Sequence, residues 1–149
     1  MDIEEKLITL LDDLIINAGI TRSSLITEDG LVIATNSDQN KEDEELNINF
    51  AAISASILSM AERGIEILNS NKNLEQIKID AGFDTNLDED FTILITRILS
   101  NVLLQVIFPK RINIGLIHFE TNKTIKEIKN LISDDILREG LLSNLGSLL

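Results

Sequence analysis

A chain of 149 residues has the length of one domain and can bury about 70% of its unfolded surface, so one sizeable core is expected. Hydrophobic residues make up 44% but aromatics only 3%, so that core must be aliphatic; 13 Lys and Arg against 25 Asp and Glu leave a formal charge of −12, which disfavours phosphate backbones and hence nucleic-acid binding. The absence of cysteine excludes disulfides, thiolate metal sites and thiol catalysis, and suits a reducing cytoplasm.

The acidic start Met1-Asp2-Ile3-Glu4-Glu5-Lys6 is unlike a secretory signal, and no apolar run approaches the roughly 20 residues of a membrane span, so a cytoplasmic protein without membrane insertion is expected. From Asp2 to Ile16 the residues Ile3, Leu7, Leu10, Leu11, Leu14 and Ile15 recur at helical spacing, and Gly19 is placed to stop the helix. Ser24–Thr27 and Leu31–Ala34 flank Glu28-Asp29-Gly30, where an Asp-Gly pair supplies the positive φ angles of a hairpin turn. The polar stretch from Asn36 to Glu45 reads as a solvated connector or as the acidic first turn of the helix that follows.

That helix is predicted over Asn47 to Leu68. On a 100° wheel Phe50, Ile53, Ile57, Met60, Ile67 and Leu68 form one bulky apolar stripe, expected to lie on a sheet. The opposite arc holds Ala51, Ala52, Ala55, Ser56 and Ser59, with charges only at Glu62, Arg63 and Glu66. Small uncharged side chains let another backbone approach, either a second copy's or the chain's own, although solvated Ala and Ser would look the same. Self-association is the reading taken, and Ala55→Arg is expected to split the pair.

Leu74 to Asp80 alternates, with Ile77 and Ile79 on one face and Gln76 and Lys78 on the other, as in an edge strand where Lys78 discourages stray pairing. The spacing of Asp84, Asn86 and Asp88 invites a calcium-loop reading, but an EF-hand counted from Asp84 needs Gly at Glu89 and Glu at Ile95, so a surface connector is expected. Phe91–Leu99 and Val102–Phe108, joined at Ser100-Asn101, read as two central antiparallel strands ended by Pro109. Asn113 can cap a helix through Ile114, Ile117, Thr121, Ile125, Ile128 and Ile132. The order is one α/β domain over residues 1–132 with an antiparallel sheet, followed at 133–149 by a leucine-rich extension that includes Leu141 and Leu145 and reads as a short helix.

Catalytic chemistry is not signalled. There is no phosphate-cradling glycine loop, His118 is the only histidine, and Ser24 lacks the glycines of a nucleophile elbow. No enzyme, metal or cofactor is expected. Arg63 and Arg97 could each serve as a finger stabilising phosphoryl-transfer charge in a bound GTPase, but for Arg97, on an apolar strand face, a salt bridge is the expected role.

Three landmarks carry a resemblance: the hairpin Ser24-Leu25-Ile26-Thr27-Glu28-Asp29-Gly30-Leu31-Val32-Ile33-Ala34, the segment Asn113-Ile114-Gly115-Leu116 leading the last long helix, and the alanine-rich middle helix. With the element order they make the chain resemble the roadblock/LC7 superfamily from about Ile3 to Ile132. The resemblance implies a three-layer α+β fold, profilin- or longin-like, with the order α-β-β-α-β-β-β-α. Its five-stranded antiparallel sheet carries the middle helix on one face and the first and last helices on the other. It also implies a homodimer joined through the middle helices and third strands, mapped onto Ala51, Ala52, Ala55, Ser56, Ser59, Ile77 and Ile79. A small Ras-like GTPase is implied as partner, with Glu62, Arg63, Glu66, Leu141 and Leu145 as its candidate surface. The acidic stretch 38–45 and the leucine-rich tail depart from the compact family pattern. Two other readings compete: a PAS- or GAF-like small-molecule sensor, and a longin- or profilin-type adaptor of trafficking or the cytoskeleton.

Overall fold

Asp2 opens the first helix by accepting the backbone N–H of Glu5 at 2.8 Å, and Glu4 and Glu5 add negative charge at the positive end of the dipole. In the computed structural model, which describes residues 2–37, 40–82 and 89–139 and, from 134 on, the backbone alone, α1 runs Ile3–Ala18. Gly19 ends it at φ 71°, returning its N–H to the carbonyl of Ile15 at 3.0 Å. Strands β1 (Arg22–Thr27) and β2 (Val32–Thr35) form the expected hairpin. Its register shifts between Leu25 and Ile26, leaving a bulge in the short edge strand β2.

Helix α2 spans Lys41–Leu68, starting well before the apolar periodicity does. The cause is a capping box. Asn40 accepts the N–H of Asp43 at 2.9 Å while the Asp43 carboxylate accepts the N–H of Asn40 at 3.2 Å. The acidic cluster is therefore the helix's first turn, the second of the two readings its sequence allowed. Asp43 also receives Arg22 of β1 at 2.6 Å, which fixes the start of α2 to the sheet. That guanidinium, helped by the Asn40 N–H, holds the Asp43 carboxyl below the usual carboxylate range.

Strands β3 (Gln76–Ala81), β4 (Phe91–Leu99) and β5 (Val102–Pro109) lead into α3, Ile114–Glu139, where the Asn113 side chain accepts the N–H of Gly115 at 2.7 Å. The backbone of α3 continues through Ile132 to Glu139 without interruption. The five strands are ordered β2-β1-β5-β4-β3, every neighbouring pair antiparallel, with β5 in the middle and β3 at an edge, as its alternation predicts.

Both faces of the sheet are covered. Leu7, Leu11 and Leu14 of α1 and Ile117, Ile128 and Ile132 of α3 pack with Leu94, Leu104 and Val106 on one side. Ala51 and Leu58 of α2 pack with Ile26, Ile93, Ile95 and Leu103 on the other. Central strands covered on both faces need apolar residues at consecutive positions, which is why β4 and β5 read as continuous branched runs. The three-layer order implied by the resemblance is the observed one.

One core position is chemically mismatched. The Thr121 hydroxyl of α3 is buried and has no hydrogen-bond partner among the described residues. A buried hydroxyl without a partner loses its hydration for nothing. Thr121→Val keeps the branched shape and is expected to raise stability by about 1 kcal/mol, read from the urea midpoint. A loss of stability would mean that the hydroxyl is satisfied in solution.

Candidate interaction face

Helix α2 is rotated by about a quarter turn from the orientation its hydrophobic pattern predicts. The stripe facing the sheet consists of Asn47, Ala51, Ser54 and Leu58, with Ala61 and Ile65 completing it. Small residues bring the helix close to the strands, and Ser54 donates its hydroxyl to Oε1 of Gln105 on β5 at 2.5 Å, pairing two buried polar groups. Ala51 is fully buried in this contact, so it faces the sheet and not a second copy, a correction to its expected place in the interface.

The bulky stripe expected on the sheet is exposed instead. Ile53 is 53% exposed, Met60 68%, Ile67 85% and Leu68 87%, while Phe50 and Ile57 are half-buried. This flank leans toward the β4–β3 side, as its neighbours Leu46 and Phe50 show by lining a cleft of about 410 Å³ with Phe91, Ile93 and Ile107. Next to β4 at the sheet edge is β3, whose Ile77 and Ile79 are half-buried against the cluster that α2 covers. Exposed helix flank and open strand edge belong to the same side of the sheet, the arrangement that a second copy could cover.

Of the small arc, Ala52, Ala55, Ser56 and Ser59 lie on the other side of α2, near the β1–β2 turn, where with Asp29, Met60 and Arg63 they line a shallow depression. Gly30, at φ 92°, reaches this arc: a Cβ there would stand 3.1 Å from Ala52 Cα and 3.3 Å from Ala55 Cβ. Part of the arc is thus covered by the chain's own hairpin. Ala55→Arg would strike that turn, so it cannot report on pairing alone.

Glu62 and Glu66 line one pocket with Glu28, Leu74 and Arg97, while Arg63 lines the depression on the hairpin side. Glu62 is drawn into a node around Arg97, whose Nε donates to the carbonyl of Leu74 at 3.0 Å and whose terminal nitrogens donate to the Ser100 carbonyl and the Glu62 carboxylate. Glu28 lies 3.6 Å from the same guanidinium. Arg97 is 16% exposed and its donors are engaged by its own chain, which matches the expected salt bridge and leaves no finger for a partner. Arg63 and Glu66 remain exposed on α2, and His118 is half-buried on α3. Leu141, Leu145 and the segment 84–88 lie outside the described residues.

On the outer strand, Asp80 accepts the Thr92 hydroxyl at 2.7 Å, and this bond together with the charge of Lys78 holds its carboxyl below the usual range. Among the described residues no group of three His, Cys, Asp or Glu could hold a metal ion, and no helix is long and apolar enough to cross a membrane.

No family model and no curated protein matches the sequence. Solved structures do match the fold. MglB of Myxococcus xanthus, 19% identical, superposes with a TM-score of 0.71 over 87% of this chain and 96% of its own. A roadblock/LC7 domain from Streptomyces avermitilis gives 0.68 at 14% identity over 84% of this chain and 96% of its own. The gliding protein MglB from Thermus thermophilus gives 0.69 at 12% identity over 90% of this chain and 93% of its own. The chain has the roadblock/LC7 fold.

Proposed function

We propose that this chain is a non-catalytic homodimer that serves as a cytoplasmic platform for a small Ras-like GTPase, which it regulates or scaffolds. The observation that carries the pairing is the α2 flank with Ile53 and Met60 exposed and Ile57 half-buried, in a protomer whose strand β3 has an open edge. Large apolar side chains gathered next to an unpaired strand edge are what self-pairing buries. The interface is therefore placed on Ile53, Ile57 and Met60 with Ile77 and Ile79, and the Ala52–Ser59 arc borders it.

Support for the GTPase comes from the resemblance in the hairpin and in the Asn113–Leu116 segment, now joined to a roadblock/LC7 fold. The −12 charge and the cysteine-free composition agree with a soluble partner-binding role in a reducing compartment. Light scattering across a dilution series tests the first half: a mass near twice 16.6 kDa is expected, and 16.6 kDa at every concentration overturns it. The second half is tested on a panel of Ras-like GTPases loaded with GTP analogue. Binding of at least one, with a changed hydrolysis rate if it is regulated, is the expected result.

A further inference from the structure

The hydrogen-bonding phase of β3 follows from one contact, the N–H of Arg97 donating to the carbonyl of Glu75 at 2.9 Å. Glu75 therefore points at β4. Backbone groups alternate along a strand, so Ile77, Ile79 and Ala81 point the same way, and Gln76, Lys78 and Asp80 present their N–H and C=O groups outside the sheet. Side chains alternate too. Ile77 and Ile79 lie on the α2 face, and Lys78 and Asp80 on the other, where Lys78 Nζ stands 3.5 Å from Asp80 Oδ2 with side chains 47% and 43% exposed.

A second copy related by a two-fold axis normal to the sheet would add its β3 antiparallel and keep both α2 helices on one face. Directly opposed residues share a face, so the axis must pass through a residue. Through Lys78 it sets Lys78 against itself, and through Asp80 it sets Asp80 against itself. Through Ile77 it sets Lys78 against Gln76 and Ile79 against Glu75. Through Ile79 it sets each Lys78 against the partner's Asp80, twice over, with Ile79 against itself and Ile77 against Ala81.

We propose that two copies pair through antiparallel β3 strands with the two-fold axis at Ile79, so that Lys78 and Asp80 of each copy form reciprocal ion pairs with the other. This rests on the self-association reading above. Opposite charges directly across a strand pair favour pairing, and like charges oppose it. Lys78, which keeps stray strands away, becomes in this register the group that admits an identical strand.

The absence of cysteine makes the register measurable. Opposed Ile79 residues point inward, so they form a non-hydrogen-bonded pair with Cα atoms about 4.5 Å apart, within disulfide reach. Each Lys78 is two residues out of register with its twin, about 7–8 Å away and beyond easy bridging. Under mild oxidation Ile79→Cys is expected to cross-link at least about tenfold faster than Lys78→Cys; the reverse order overturns the register. Lys78→Glu and Asp80→Lys, both at exposed side chains, should each weaken the dimer by roughly tenfold, while the double exchange Lys78→Glu/Asp80→Lys restores it. A double exchange no better than the singles overturns the ion pairs. A wild-type chain that is monomeric by light scattering fails the self-association reading itself, whereas a stable dimer that neither cysteine cross-links fails only the β3 register.

Discussion

Replacing Arg97 by methionine is expected to remove about 3 kcal/mol of folding stability, read as a lower urea midpoint at unchanged slope. The guanidinium joins four parts of the chain: Glu28 in the hairpin turn, Glu62 on α2, the Leu74 carbonyl before β3 and the Ser100 carbonyl in the β4–β5 turn. Methionine keeps the length and packing of the side chain but leaves two carboxylates beside each other and two carbonyls without their donor. Glu28 and Glu62 can swing partly into water, with side chains 37% and 29% exposed, which keeps the loss at the lower end of what a broken buried pair costs. A loss below about 1 kcal/mol would show that the node behaves as a surface ion pair. Because Arg97 ties α2 to the start of β3, its loss should also loosen the two elements that make the proposed interface.

The element order was readable because each element carries its own local signal. Asp2 and Gly19 bound α1, Asp29-Gly30 makes the hairpin turn, and the branched runs of β4 and β5 report burial on both faces. The rotation of α2 was not readable from a hydrophobic wheel. That method assigns the bulkiest stripe to the core, and here the core stripe is small and partly polar because Ser54 answers Gln105 on the central strand. A glutamine inside an otherwise apolar strand was the available hint: buried, it needs a partner, and the helix across the sheet face must supply one. Periodicity leaves the start of α2 open between a connector and an acidic first turn for a related reason, since Asn40 and Asp43 announce a capping box that apolar spacing cannot register. The pairing of Arg97 with a carboxylate could be expected from an apolar strand face, but its bonds to two carbonyls are set by turns far apart in sequence.

Ile53→Glu combined with Met60→Glu is expected to convert the dimer to a monomer at micromolar concentration while leaving the protomer's stability within about 0.5 kcal/mol. Both residues are more than half exposed in the single chain, and both occupy a helix surface where glutamate is a good helix former. Among the described residues neither belongs to a core cluster. In the pair they would meet their twins across the α2 flanks, so each copy would bring two carboxylates into a site that loses its water, where an unpaired charge costs about 3–5 kcal/mol. That is roughly a hundredfold or more in dissociation constant, well within the reach of light scattering on dilution. The companion substitution Ser59→Glu lies on the same helix but about 100–120° round from both Met60 and Ile53, on the hairpin side, where Ser59 is exposed beside Ala55 and Asp29. It adds a similar charge and should leave the mass unchanged. If Ser59→Glu splits the pair and the Ile53/Met60 variant does not, the small-residue arc is the contact after all, and the bulky flank is left for another partner. If the double variant alone dissociates and also loses a bound GTPase, the platform requires two copies; if binding survives in the monomer, each chain carries a complete partner surface of its own.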